Sequence, residues 1–247
     1  MSSVDANHGD LIRDIAPGDR MFDPEYPDAY FQVGDSALRC VRLAMEAAGK
    51  STFSNILDFP CGHGRVLRAL KRGFPDAALT ASDIDRDGVD FCSRTFGAEG
   101  VYSDNDLSQV DLAGGFDLIW VGSLFTHLPD PRWWTFLDFL IDRLVPDGLL
   151  LFTTHGRWSA RQVRAGQFSP AGSREAQLHM LRGYEASGFG FVGGGDSQAY
   201  GTSLTKPAAV LQRIESFEEL RLLSYSERGW AGHQDVVTCQ KGFTFPT

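Results

Sequence analysis

Apolar and polar positions along the chain fall into a repeating strand–helix rhythm between residues 55 and 154. Short runs that are apolar almost throughout occur at 55–59, 77–82, 100–103, 116–121 and 149–154. Runs of this length and character are expected of strands buried on both faces. Between them lie segments with helical spacing. One covers 65–72, with Lys71 and Arg72 at its negative dipole end and Gly73 ending it. Another covers 87–96 and is closed by Gly97. A third runs to about residue 144 behind Asp130-Pro131, read as an N-cap and a first-turn proline. An earlier helix is predicted over 35–48, where Leu38, Val41, Leu43, Ala44 and Ala47 recur at helical spacing.

Alternating apolar strands and helices predict an α/β fold with a mostly parallel sheet, doubly wound because crossovers are right-handed. Two strands are predicted near the chain end, at 220–226 and 235–240, for seven in all. The turn Arg228-Gly229-Trp230-Ala231-Gly232 is too short for a crossover, so the last strand is expected to be antiparallel. The rhythm breaks over about 156–207, a glycine-rich stretch that includes Gly188, Gly190, Gly193, Gly194 and Gly195. It reads as an insertion over the functional rim, with a helix near 175–184 and strands near 189–192 and 200–204. Residues 1–50 read as a leader, loose to about residue 24, plus a cap helix. Residues 51–247 read as the main domain.

Composition narrows the options. The 247 residues are 43% hydrophobic and 22% charged, enough for a sizeable core. A net charge of −9 disfavours non-specific nucleic-acid binding, which depends on neutralising phosphates. Cys40, Cys61, Cys92 and Cys239 form no Cys-x-x-Cys pair, and their spacing matches no disulfide framework, so a reducing cytoplasm is expected. The first residues lack the apolar core of a signal peptide, and no apolar run is long enough to span a bilayer.

In a doubly wound sheet, ligands bind beyond the carboxyl ends of the strands, so the residue leaving each strand is the one to inspect. The first strand leaves through Asp58-Phe59-Pro60-Cys61-Gly62-His63-Gly64, a tight glycine turn that lets a nucleoside-like ligand approach the backbone. The second leaves at Asp83-Ile84, with Asp83 at the separation expected of a ribose-binding acid. The third leaves at Asp104-Asn105, polar groups suited to an adenine amine. The fourth leaves through Ser123 to His127, and the fifth at His155. His233 precedes the antiparallel strand and so joins the same rim, with Asp235 beside it. Asp117, at the opposite end of its strand, reads as structural, and Asp85 and Asp87 as solvated or capping. Tyr26 and Tyr30 are candidates for a lid; Trp230 and Tyr200 border the rim.

These residues resemble the class I S-adenosylmethionine-dependent methyltransferases, a Rossmann-like family. The glycine turn is similar to that family's D-x-G-x-G-x-G motif, and Asp83 matches its ribose acid. The run from Phe116 to Val121 with Ser123 and His127 resembles its fourth-strand motif, and Pro146-Asp147-Gly148 the turn into its fifth strand. The resemblance covers about 55–154 and the final two strands in outline. Pro60 departs from it, standing where the family has its first glycine and offering no N–H. The resemblance implies S-adenosylmethionine as cofactor, with Asp58, Pro60, Cys61, Gly62, Gly64, Asp83, Ile84, Asp104, Asn105 and Ser123 as its contacts. It also implies methyl transfer to a small-molecule or saccharide acceptor, at oxygen. A rim histidine suits the removal of a hydroxyl proton; His155 and His233 are the preferred pair, His127 the third candidate, and Asp235 the group that would orient an imidazole. The carboxylate-rich set of metal-dependent relatives is not apparent, so no metal is expected. A non-catalytic cofactor-binding module, and after it a nicotinamide oxidoreductase, remain the alternatives.

Overall fold

A computed structural model of the chain describes residues 11–168, 173–194 and 197–242. The first ten residues of the leader and Gly195 lie outside these. Helix α1 (Pro27–Ala48) leads into five strands and three helices: β1 (Asn55–Asp58), α2 (Leu67–Gly73), β2 (Ala78–Asp83), α3 (Arg86–Phe96), β3 (Glu99–Tyr102), β4 (Phe116–Val121), α4 (Asp130–Arg143) and β5 (Leu144–Thr154). After β5 come α5 (Arg157–Ala165), α6 (Arg174–Ser187), β6 (Phe189–Gly194), β7 (Ser197–Thr205) and α7 (Pro207–Glu215). The hairpin β8 (Leu220–Trp230) and β9 (Gln234–Lys241) follows.

Seven strands form one sheet in the order β3-β2-β1-β4-β5-β9-β8. Neighbours from β3 to β5 are parallel, and β9 runs antiparallel to both β5 and β8, as the short turn requires. Successive strand side chains point to opposite faces, and here both faces are buried. Ile56, Leu118 and Leu149 pack with Leu38 and Val41 of α1, Leu70 of α2 and Phe96 of α3. Leu57, Ile119 and Leu150 pack on the other side with Trp133 and Leu137 of α4 and Val210 of α7. This two-sided burial is why these strands read as continuous apolar runs.

The segment after β5 has its own small core of Ala160, Val163, Met180, Leu181, Tyr184, Val192 and Leu204. It is sewn to the rim by β7: Gly201 N donates to His127 O (2.9 Å), Ser203 N to Thr126 O (2.8 Å) and Thr205 N to His155 O (2.8 Å).

Several boundaries differ from expectation for identifiable reasons. Helix α1 begins at Pro27, eight residues early, with the proline supplying the preset φ of a first turn. Arg65 belongs to the turn, and α2 starts only at Leu67. Asp130 is the first helical residue, behind an N-cap at Pro129, and its carboxylate pairs with Arg213 of α7. Helices α5 and α7 were not expected, because the glycine-rich stretch hid one and a lone Lys-Pro boundary announced the other. The leader is not loose where it is described: Arg68 Nη1 donates to the carbonyls of Ile12 and Asp14, both at 2.9 Å, and Tyr30 Oη donates to Asp19 at 2.5 Å. Tyr30 is therefore a buried anchor in α1, whereas Tyr26 is exposed. Among the described residues no helix is long and apolar enough to cross a membrane.

Candidate cofactor and transfer site

The turn after β1 is shaped by close packing beneath it. The Phe59–Pro60 peptide is cis, and Gly62 and Gly64 take φ of 50° and 77°, where a side chain is disfavoured. A Cβ on Gly64 would stand 2.3 Å from Phe96 Cε2, and one on Gly88 of α3 would stand 2.4 Å from the Gly62 carbonyl oxygen. Pro60 offers no donor, and the amides of Cys61 and Gly62 are already engaged, with Ser82 O (3.0 Å) and Asp83 Oδ2 (2.7 Å). The cradle is held mainly by the end of β2.

Asp83 closes that link. Its Oδ1 accepts the Asp85 amide at 2.9 Å, and burial pushes its carboxyl above the ordinary range. Each oxygen retains a lone pair for a ligand hydroxyl. Asp83 stands between two adjoining cavities that share Pro60 and Tyr200. The larger, about 400 Å³, is walled by Ile84, Leu124, Leu128 and Phe136, with Asp104 and Asn105 at its edge. Asp104 also accepts the Asp106 amide, and Asn105 accepts from Arg132. An apolar slot with polar groups at one edge suits a nucleobase.

The smaller cavity, about 270 Å³, has Asp19, Asp58, Cys61, Arg65, Trp120, Ser123, His127 and Trp230 along its walls. Asp58 is 1% exposed, its Oδ2 has no partner, and burial followed by the nearby Asp83 charge pushes its carboxyl well above the usual carboxylate range. Ser123, at φ 62°, is fixed from two sides: its amide donates to Thr153 Oγ1 (2.8 Å), and its hydroxyl accepts from Gln234 Nε2 (2.9 Å). Thr153 in turn donates to Gln234 Oε1 at 2.6 Å.

The histidines separate. The His127 ring lies on Tyr200, centroids 4.8 Å apart and 17° between planes, and its Nδ1 is bonded to Gly201 O. A carbonyl only accepts, so Nδ1 carries the proton and Nε2 keeps its lone pair. Burial lowers its pKa. His155 is only 5% exposed, packs against Phe168, and its Nδ1 has no partner; burial, then His127 and His233, lowers its pKa to about 3. His233 is half-buried, with Nδ1 on Ala231 O. Neither His155 nor His233 lines the two cavities. Asp235 accepts from Tyr225 Oη (2.7 Å) and the Arg228 amide (2.9 Å), so it fastens the hairpin and orients no imidazole. Asp117 caps the sheet bottom by accepting the amides of Ser54 (2.6 Å) and Asn55 (3.0 Å), and Asp85 caps α3. Among the described residues no cluster of three His, Cys, Asp or Glu side chains could hold a metal ion.

Sequence reasoning missed Asp19, Arg65, Trp120 and Arg132 as lining residues. Arg65 and Trp120 carried a signal, each lying within a few residues of a strand exit; Asp19 carried none.

The fold is the Rossmann-like one of class I S-adenosylmethionine-dependent methyltransferases. Residues 56–148 match the family model described as a methyltransferase domain. The chain is 28% identical over 141 residues to the malonyl-[acyl-carrier protein] O-methyltransferase of Acetivibrio thermocellus, a match covering 55% of this chain and 47% of that one. It thus spans about half the length of that curated relative. In fold it is similar to human N-acetylserotonin methyltransferase in complex with S-adenosylmethionine (TM-score 0.54, 18% identity, 85% of this chain and 52% of that one). It is also similar to the plantazolicin methyltransferase BpumL bound to S-adenosylhomocysteine and a substrate analogue (TM-score 0.59, 16% identity, 87% and 86%).

Proposed function

We propose that this protein transfers a methyl group from S-adenosylmethionine to a hydroxyl of a small-molecule or saccharide acceptor, with His127 as general base. The observation that carries the reading is the His127 ring: held by Nδ1 on Gly201 O, stacked on Tyr200, and kept uncharged by burial at the wall of the smaller cavity. This replaces the expected His155–His233 pair, since burial holds His155 away from the cavities and His233 is tied into its own turn.

The residues present fit the cofactor. Asp83 would take the ribose hydroxyls, Ile84, Leu124 and Phe136 would enclose the adenine, and Asp104 and Asn105 would meet its polar edge. The cradle left open by Gly62 and Gly64 would admit the rest. When bound, S-adenosylmethionine supplies an electrophilic methyl group on a sulfonium. The protein's part is to align an acceptor oxygen and remove its proton. Ser123, locked by Thr153 and Gln234, fixes the floor beside His127. Tyr200 and Trp230 would give the acceptor an apolar wall, and Asp19 would add a polar group to it. The relative named as an O-methyltransferase supports transfer at oxygen.

Calorimetry with S-adenosylhomocysteine and with NAD tests the cofactor, and label transfer from S-adenosylmethionine to a panel of hydroxylated compounds tests the reaction. Binding of S-adenosylhomocysteine but not NAD, with label appearing as a methyl ether, is expected. Binding without transfer would favour a non-catalytic module; NAD binding alone would overturn the reading.

A further inference from the structure

Arg132 joins three segments of the chain at the edge of the larger cavity. It projects from the first turn of α4 and lies over Phe136 one turn on, 5.1 Å from the ring centroid. Its Nη2 donates to the Asn105 carbonyl (2.8 Å), and its Nη1 donates to Asn105 Oδ1 and to the Ala199 carbonyl, both at 3.3 Å. One guanidinium thus spans the loop after β3, the start of α4 and strand β7. The residue type suits this role, because a guanidinium holds several donors in one rigid plane and a lysine ammonium does not. Arg132 is partly exposed, and it lines the cavity with Asn105, Ala199 and Tyr200.

The start of β7 has little else to hold it in register over the rim. From Gly201 onward the strand is bonded to the rim through the amides of Gly201, Ser203 and Thr205. Before that point its partner in β6 is glycine, with Gly193 opposite Gly201. Glycines in a strand bring no side chain to pack. A side chain is also barred there, since a Cβ on Gly201 would stand 2.0 Å from the Val192 carbonyl oxygen. Tyr200 sits at this weak point. It is 52% exposed, and its ring lies on His127. The residue after it bonds the imidazole through Gly201 O, and the residue before it is held by Arg132 through Ala199 O.

We propose that Arg132 is a positioning residue for methyl transfer: by fastening Ala199 to the Asn105 loop, it keeps Tyr200 on the His127 ring and so fixes the direction in which the imidazole presents Nε2. This rests on the reading of His127 as general base. It adds to that reading a reason why the ring is held still, supplied from outside the strand that captures it. Arg132 touches neither the imidazole nor the wall of the smaller cavity, and it acts through Ala199 and Tyr200 alone.

The test is histidine NMR on the full chain without ligand, with the His127 signal assigned from its loss in His127→Asn. A ring proton held over the face of Tyr200 resonates at lower frequency than one in an exposed imidazole, and burial keeps the His127 titration below the ordinary range. Arg132→Met keeps an aliphatic stem over Phe136 and loses every donor. It is expected to move the His127 signal toward the exposed position and its titration midpoint toward about 6.5, with the His155 signal unmoved. Arg132→Lys, which can reach a single carbonyl, is expected to give a smaller shift in the same direction and serves if Arg132→Met fails to fold. In label transfer, Arg132→Met is expected to lower kcat by up to about 100-fold, the cost of a small misplacement of a reacting group, while KM changes by less than about threefold. An unmoved His127 signal overturns the proposal. Equal movement of His127 and His155 also overturns it, by making Arg132 a residue of general stability. Neither result bears on the base itself, which fails separately if His127→Asn keeps full turnover.

Discussion

The Gly62 amide donates to Asp83 Oδ2 across 2.7 Å, so the glycine turn and the carboxylate proposed to meet the ribose are one hydrogen-bonded unit. Asp83→Ala removes both a ligand contact and the acceptor for two amides, those of Gly62 and Asp85. Each hydrogen bond to a charged group is worth about 1.5–3 kcal/mol, so affinity for S-adenosylhomocysteine should fall about 100-fold by calorimetry. A change under about threefold would remove Asp83 from the ribose role.

Gly88 lies inside α3, where alanine ordinarily stabilises by up to about 1 kcal/mol. Here the added methyl meets backbone, 2.4 Å from Gly62 O, which cannot rotate away. Gly88→Ala should therefore destabilise by about 1–3 kcal/mol in denaturant titration and weaken S-adenosylhomocysteine by shifting the turn. A stabilised variant with unchanged affinity would contradict this packing.

His127→Asn should lower kcat by about 10²–10⁴ while leaving S-adenosylhomocysteine affinity within a few-fold. Because burial lowers the His127 pKa, the base is already neutral below the ordinary imidazole range. Turnover should be flat around neutrality and fall only as acid protonates the ring. An activity that instead rises through pH 7 and above would point to a different base.

His155 contributes to the acid sensitivity of the fold. It is held neutral in the fold, with its pKa lowered to about 3, whereas the unfolded chain binds a proton below about 6.5. Its contribution is complete above the unfolded value and lost as pH falls from there toward 3. The slope is up to about 1.4 kcal/mol per pH unit. His155→Gln should flatten that part of a pH series of urea unfolding curves; an unchanged slope would assign the acid sensitivity elsewhere.

Arg68 ties the leader to the glycine turn, donating to Ile12 O and Asp14 O at 2.9 Å and through Nε to Gly64 O at 3.1 Å. Arg68→Met keeps much of the side-chain volume and loses these donors. Trypsin should then cut at Arg13 or Arg20 faster than in the unaltered protein. Equal cleavage rates would mean the leader is held by its other contacts, such as Tyr30 on Asp19.

Elements whose residues face two buried layers were legible as sequence. The bounds of β4 coincide with the predicted 116–121, because both faces of Leu118, Ile119 and Trp120 demand apolar residues. That the glycine turn, Asp83 and Ser123 line one rim was legible for a related reason: they sit at fixed offsets from strand ends. The base was not. Which histidine faces the cavity depends on β7, whose Gly201 carbonyl captures His127 and whose Thr205 amide covers the His155 carbonyl. No local pattern around residues 127 or 155 encodes the docking of a strand more than forty residues away. Asp19 was invisible for the same reason, since its place is set by Tyr30 and Arg68.

The walls of the smaller cavity come from residue 19, the turn at 58–66, Asp83, the exit of β4, Tyr200 and Trp230. Segments from almost the whole length of the chain must be in place before a ligand is enclosed. The two walls supplied by Tyr200 and Trp230 are also the last to be synthesised. A chain lacking the final hairpin has the glycine turn and the larger cavity but not the Trp230 wall of the smaller one. A ligand that binds only the completed fold stabilises it by mass action, so the finished cavity gains stability as ligand concentration rises.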